Sequence, residues 1–398
     1  MKPAAYFAFT PLCLALHTHA AALERSGQSI LPFLESGNYT EFSYGAVAGN
    51  LSGENSNKEQ LSQALNVTDF STGNLIQDFF FVQGAVKWQL NPQISAGLLF
   101  DQPYGIKLNY DYSPESILGH EQLEAINIQL KSRNITALMG YQPTERWNVY
   151  GGLAYQSFDG HLNLFGQSFY VFNGYSVELK RDNSFGWLTG ISYRIPEIAF
   201  RANLTYRSEI NHKNQAEESL PFSSSTVSDT TKITTPQSVN LDFMSAISMH
   251  NLIYGSVRWV NWSDFKIKPN GFNEIIQPYI AYLPALADLN LIDYQSDQWS
   301  AKIGIAQKLN ERAFASLETV WDSGSDNPAS TINPANGYHG LGTGFRYQLT
   351  PNNFFSGGIY YLRFRPSKAD NNTITLNSIA TLEHKEAWAY GIKIGHYF

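Results

Sequence analysis

The chain has 398 residues, a formal net charge of −7, 15% charged and 14% aromatic residues, 30 Gly and 23 Tyr. That length and composition fit roughly two or three soluble domains or one large barrel. Scattered basic residues in a mildly acidic chain give nucleic-acid binding no support. Past the N-terminus no apolar run is long enough for a membrane helix, which leaves a β-barrel open.

Lys2 precedes an apolar run over residues 4–16, and small residues follow at Thr18, Ala20, Ala21 and Ala22. This is the layout of a secretory signal peptide, here residues 1–22, which takes no part in the fold. The only cysteine, Cys13, lies inside it, and Pro11-Leu12 before it do not fit a lipoprotein signal. The mature chain therefore lacks disulfides, zinc–thiolate sites and cysteine nucleophiles, and no metal or cofactor is expected. An exported chain of this size without cysteines must be held by packing and by backbone pairing.

Residues 23–38 read as a short luminal plug segment, and strand-like alternation begins near Tyr39. From there to residue 398 the pattern is that of one antiparallel transmembrane β-barrel. Phe80, Val82, Val86, Trp88 and Leu90 alternate with Gln83, Ala85, Lys87 and Gln89. Ile198, Phe200, Ala202, Leu204 and Tyr206 alternate with Arg201, Asn203, Thr205, Arg207 and Glu209. Similar alternation runs through Trp299–Ile305 and Leu341–Leu349. Aromatics crowd the ends of these apolar faces, as the girdles of a membrane barrel require. Two stretches, residues 253–264 and 354–365, carry large residues on both faces, so some apolar side chains must point inward.

Turn residues recur at Asn91-Pro92, Pro143-Thr144-Glu145, Pro196-Glu197, Met249-His250-Asn251, Asn310-Glu311-Arg312 and Pro351-Asn352-Asn353. The spacing between them accommodates two long strands and one longer loop, a meander of about 14 strands with both termini on the short-turn side. The final strand fixes the orientation of the faces. Trp388, Tyr390, Ile392, Ile394 and Phe398 share one face, while Ala387, Ala389, Gly391, Lys393 and Gly395 share the other. In a bilayer the large face meets lipid and the small, charged face lines the lumen. A terminal Phe after such alternation also looks like the signal read by barrel-assembly machinery.

Four sets of residues stand out as candidate sites. Leu162, Leu164, Phe165, Phe169, Tyr170, Val171 and Phe172 are too apolar for a solvated loop, and an exposed patch of that kind marks binding. A second apolar stretch, with Ile275, Ile276, Tyr279, Ile280, Tyr282, Leu283 and Leu286, suits a short helix on the rim. Pro103-Tyr104-Gly105 should bend a strand or break its pairing, since Pro lacks a ladder donor and Gly tolerates unusual backbone. Lumen-facing Arg201, Arg207, Lys302 and Arg346 suit a carboxylate, or else pair with inward acids such as Glu209.

The segments Asp101-Gln-Pro-Tyr-Gly-Ile-Lys-Leu-Asn-Tyr110 and Trp259-Val-Asn-Trp-Ser-Asp-Phe265 resemble the FadL family of outer-membrane transporters of long-chain fatty acids and other hydrophobic compounds. Residues 123–130 with 147–153 are similar to that family's fourth and fifth strands, and residues 298–304 with 318–324 extend the likeness. The resemblance implies fourteen strands, placement in the outer membrane of a Gram-negative bacterium, and an inward kink of the third strand through which cargo leaves sideways. Pro103, Tyr104 and Gly105 occupy the matching positions. Implied partners are a fatty acid or hydrocarbon, outer-membrane lipid and lipopolysaccharide, with the protein acting as a monomer. One departure is the absence of an Asn-Pro-Ala hatch near the start; Asn333-Pro-Ala335 lies in a late loop. The competing readings are a general or selective porin and an outer-membrane hydrolase. For the hydrolase, none of His161, His212, His250, His339 and His384 sits in a nucleophile motif.

Overall fold

The computed structural model describes residues 23–55, 71, 73–74, 78–109, 126–165, 167–221, 223, 226–325, 337–365, 368–370 and 378–398. The expected signal peptide and the Asn333-Pro-Ala335 tripeptide lie outside them. The described chain forms a closed antiparallel barrel of fourteen strands. In order these are β1 (Tyr39–Asn55), β2 (Phe79–Gln89), β3 in two segments (Ile94–Asp101 and Gly105–Asn109), β4 (Ile126–Tyr141) and β5 (Trp147–Leu164). Then come β6 (Tyr175–Ile195), β7 in two segments (Phe200–Arg207 and Ile210–Ser219), and β8 likewise (Thr226–Thr235 and Ser238–Ala246). The circuit is completed by β9 (Asn251–Val260), β10 (Gln298–Lys308), β11 (Ala313–Asp322), β12 (Tyr338–Thr350), β13 (Asn353–Phe364) and β14 (Ser378–Tyr397). Closure joins β14 to β1 from Tyr39↔Tyr397 upward, so no edge is left at the seam.

All six predicted turns fall between consecutive strands at one end, beside the start of β1 and the end of β14. Local chemistry makes them tight. Asn91 Oδ1 accepts from the backbone of Gln93 and Ile94, and Asn310 Oδ1 does the same for Arg312 and Ala313. Both are side-chain substitutes for a backbone turn.

Strand faces follow the two-residue period. On β14, Trp388, Tyr390, Ile392 and Ile394 are each about half exposed, whereas Ala387, Ala389 and Lys393 are buried. A soluble protein would pay heavily for so many bare apolar side chains, but a bilayer solvates them. Inside, Tyr254, Tyr360, Leu362 and Phe364 point to the lumen, as the two-faced stretches require.

Strand length varies around the wall. β11 has 10 residues, whereas β6 has 21. The upper segments of β7 and β8 pair with each other from Ser219↔Thr226 to Ile210↔Thr235, so one side of the barrel stands higher than the other. Between β9 and β10 the long-loop end carries helix α1 (Asn270–Ile280). At the other pole, residues 23–38 run through the interior, where Leu23, Glu24, Ser26, Ile30 and Phe33 are almost wholly buried.

Candidate functional site

β3 breaks where the sequence predicts. Its first segment pairs with β2 only as far as Gly84↔Phe100. Beyond Asp101 the chain turns away, and its second segment pairs with β4 alone, from Gly105↔Lys131 to Asn109↔Asn127. The upper part of β2, Phe79 to Gln83, keeps its ladder to β1 and has no β3 partner in register. The wall therefore has a gap between β2 and β3.

That gap is filled by the N-terminal segment. Glu24 and Tyr104 form an antiparallel bridge, with Arg25 N donating to the Pro103 carbonyl at 2.8 Å and Gly105 N to the Leu23 carbonyl at 2.6 Å. The Arg25 guanidinium lies 4.8 Å from the Phe79 ring centre, spanning from the kink to β2. Gly105 is required by this approach, because a Cβ there would lie 2.7 Å from Arg25 Nε and 2.9 Å from the Leu130 carbonyl.

A buried polar cluster anchors the same segment to the opposite wall. Arg258 on β9 donates from Nε to Glu24 Oε1 at 2.5 Å, from Nη2 to Gln28 Oε1 at 2.9 Å, and from Nη1 to Ser238 Oγ and Asn240 Oδ1. Asn240 Nδ2 donates to the Gly27 carbonyl, Arg207 Nη2 to the Gln28 carbonyl, and Ser26 Oγ to Asp101 Oδ2. A planar guanidinium with several fixed donors suits such a junction. Charges buried this deeply persist only when paired and hydrogen-bonded.

Above the segment lies an apolar column. Leu23 and Tyr104 belong to one continuous cluster with Leu108, Ile128, Phe158, Leu162, Leu164, Phe169, Phe172, Trp262, Phe265, Phe272 and Ile276. Trp262 meets Tyr104 edge-on with ring centres 5.4 Å apart, so two of the segments that carry the family resemblance touch in space. The roof is built from a short 3-10 turn (Gln167–Phe172) and α1, with Phe172 and Phe272 stacked at 4.8 Å. Pro269 leaves α1 without a side-chain N-cap. Glu218, on the upper segment of β7, supplies the acceptors: Gly271 N donates at 2.9 Å and Phe272 N at 2.7 Å. The Tyr175 hydroxyl donates to the same carboxylate at 2.7 Å. A carboxylate at a helix N-terminus is favoured by the unpaired amides and by the helix dipole. Gly271 admits it, since a Cβ there would lie 2.7 Å from Glu218 Oε2.

This geometry corrects two expectations. Leu162, Leu164, Phe169 and Phe172 are not an exposed collecting patch; they are buried under the roof, because β5 and the 3-10 turn aim them into the lumen. Phe165 and Val171 are half-buried, and the Tyr170 side chain lies outside the described residues. Among the described residues of the long-loop end, exposed apolar surface lies instead on α1 and just after it, at Tyr279, Tyr282 and Leu283. Glu209 does not point inward. β7 is interrupted at Ser208-Glu209, so odd residues face in up to Arg207 and even residues from Ile210 onward, leaving Glu209 exposed.

Arg201, Arg207, Lys302 and Arg346 do face inward. Arg201 Nη1 donates to the Leu34 carbonyl at 3.3 Å, and Arg207 holds Gln28. Lys302 borders a small cavity shared with Asp242, and the Arg346 guanidinium lies 3.7 Å from the Phe354 ring centre. Two of the four thus fasten the N-terminal segment. Sequence reading missed Glu24, Gln28, Glu218 and Arg258, none of which sits in a motif. The one usable signal was Trp262, a large residue inside a resemblance segment that no lipid-facing alternation explains.

The sequence pattern of the outer membrane protein transport proteins (OMPP1/FadL/TodX) matches residues 34–395. None of the curated proteins matches the chain. Among solved structures, a FadL homologue of Pseudomonas aeruginosa is similar at 12% identity and a TM-score of 0.66, covering 92% of each chain. The toluene transporter TodX of Pseudomonas putida is similar at 12% identity and a TM-score of 0.59, covering 95% of this chain and 98% of that one. The toluene transporter TbuX of Ralstonia pickettii gives 12% and 0.58, covering 98% of both.

Proposed function

Since the chain belongs to the OMPP1/FadL/TodX family of outer-membrane transport proteins for hydrophobic compounds, we propose that it takes up fatty acids or small hydrocarbons and releases them sideways, through the gap at Pro103-Tyr104-Gly105. The observation that carries this reading is the closure of the β2–β3 gap by Leu23–Ser26, a separable segment, in place of a strand ladder.

The physical problem is the outer leaflet, a dense layer of charged lipopolysaccharide. A water-filled pore offers a long alkyl chain nothing, because each methylene kept in water costs about 0.8 kcal/mol relative to an apolar site. An apolar route is needed from rim to bilayer. Tyr279, Tyr282 and Leu283 would make first contact on the outside. The column from Phe172 and Phe272 through Trp262 to Tyr104 and Leu23 then offers apolar contacts down to the kink. Withdrawal of residues 23–26 opens the last step into the membrane. Cargo scope is wider than fatty acids if the toluene transporters named above share this route, since nothing in the column demands a carboxylate.

The test is a reversible lock. Glu24 and Tyr104 are a non-hydrogen-bonded antiparallel pair, whose Cα atoms lie about 4.5 Å apart, within disulfide range. Glu24→Cys with Tyr104→Cys, in a mature chain that has no cysteine, should block uptake of labelled hydrophobic compounds when oxidised and restore it on reduction. Equal uptake in both states would remove lateral exit by this route.

A further inference from the structure

The plug's underside faces a cavity of about 1030 Å³ at the short-turn end of the barrel, the end that faces the periplasm in outer-membrane barrels. Its walls are the turn-proximal parts of β2, β5, β6, β7, β8 and β10, with Phe33, Leu34 and Glu35 forming the ceiling. The volume matches that of small-molecule sites.

Its charge is unusual for an acidic chain. Lys87, Arg194 and Arg201 all line it, and among the described residues none of the three has a carboxylate within the 4.0 Å of an ion pair. Their contacts are to neutral oxygens. Lys87 Nζ donates to the carbonyls of Glu35 and Gly37 at 2.9 and 2.8 Å and to Gln89 Oε1. Arg194 Nε donates to the Glu145 carbonyl, and Arg201 Nη1 to the Leu34 carbonyl. Arg201 Nε and Nη2 are buried without an acceptor. The acid in the ceiling, Glu35, accepts from the Tyr397 hydroxyl at 3.0 Å. Glu35, Glu145 and Asp242 oppose these cations only at longer range, and the lining carries five basic side chains against two acidic ones, so the low-dielectric walls focus a net attractive field for anions entering from below. Leu34, Met244 and Ala246 supply apolar wall beside them.

We propose that this mouth is a second binding site, for a small amphiphilic monocarboxylate that enters from the periplasm. The head meets Arg194 and Arg201, and the tail lies against the plug and β8. The site stands apart from the uptake route, from which residues 23–34 separate it, and it does not depend on what the barrel carries.

Octanoate, octanol and octyltrimethylammonium can be titrated calorimetrically into the protein in phosphatidylcholine nanodiscs, with empty discs subtracted. Octanoate should bind more tightly than the other two, weaken at least tenfold in Arg194→Gln/Arg201→Gln, and weaken as salt rises; any heat from octanol in the apolar column should be the same in wild type and variant. Arg194→Gln alone, which breaks only a contact to an exposed turn, should weaken binding several-fold and covers failure of the double variant to fold. Equal binding of octanoate and octanol, or wild-type affinity in Arg194→Gln, would overturn the proposal. Binding should persist in the oxidised Glu24→Cys/Tyr104→Cys protein. Loss there would put octanoate above the plug and also overturn it, whereas failure of the lock to stop uptake would leave the mouth site untouched.

Discussion

Arg258 and Glu24 meet across 234 residues of chain, side chain to side chain, in the buried centre of the barrel. Removing one partner of a buried pair costs about 3–5 kcal/mol when the remaining charge is trapped. Here it is not trapped, because Glu24 sits on a segment that can carry it to water. Arg258→Ala should therefore undock residues 23–28 while the barrel stays folded. Hydrogen exchange at Arg25 and Ser26 should rise sharply, and the variant should conduct ions above wild type. Glu24→Gln, which keeps the hydrogen bond, should change both far less. Unfolding of the whole barrel would contradict the account.

Gly105→Ala makes a different demand. Its new Cβ collides first with the flexible end of Arg25 and then with the Leu130 carbonyl. The easier relief is to expel Arg25 from its place over Phe79. Uptake should rise or become leaky, not fall as straightening the kink would predict. Arg25→Ala should mask part of the effect, so the double variant will be less than additive, as contacting residues require.

Glu218→Ala leaves the first amides of α1 without acceptors and Tyr175 without its carboxylate. A lost cap of this kind costs about 1–2 kcal/mol. The expected outcome is local: faster exchange at Gly271 and Phe272, and protease cleavage near α1, with unchanged heat resistance of the barrel on gels.

Tyr282→Ser with Leu283→Ser removes exposed apolar surface and touches no core. If the rim makes first contact, half-maximal uptake should need several-fold more cargo at an unchanged maximal rate, about 1 kcal/mol of lost apolar contact. An unchanged concentration dependence would move first contact elsewhere.

Much of the architecture was legible because a lipid-facing strand cannot hide its period. Every second residue of β14 must be large and apolar, and every tight turn needs Asn, Pro or a substitute. The break in β3 was legible for the same reason, since Pro103 and Gly105 violate strand chemistry. What escaped was contact between distant segments. Sixteen residues before β1 show no periodicity, so nothing in them announces that Glu24 reaches Arg258. Apolar composition alone does not separate a roof from a landing surface, which is why Phe169 and Phe172 were expected outside and Tyr282 carries that role in the proposed route. The break at Ser208-Glu209 left no compositional mark, and it inverted the facing of the upper segment of β7, Ile210–Ser219.

The unequal strands leave the molecule lopsided. Ten residues tilted at about 40° rise roughly 25 Å, the height of the lipid band, whereas 21 residues rise about twice that. The short staves therefore stop near the waterline and the long ones continue as a free-standing palisade, against which α1 leans from the low side. Lipid pressure braces the lower hoop alone. Heating should thus splay the palisade and drop its awning while the belt stays sealed, giving two separate melting events from one uninterrupted sheet.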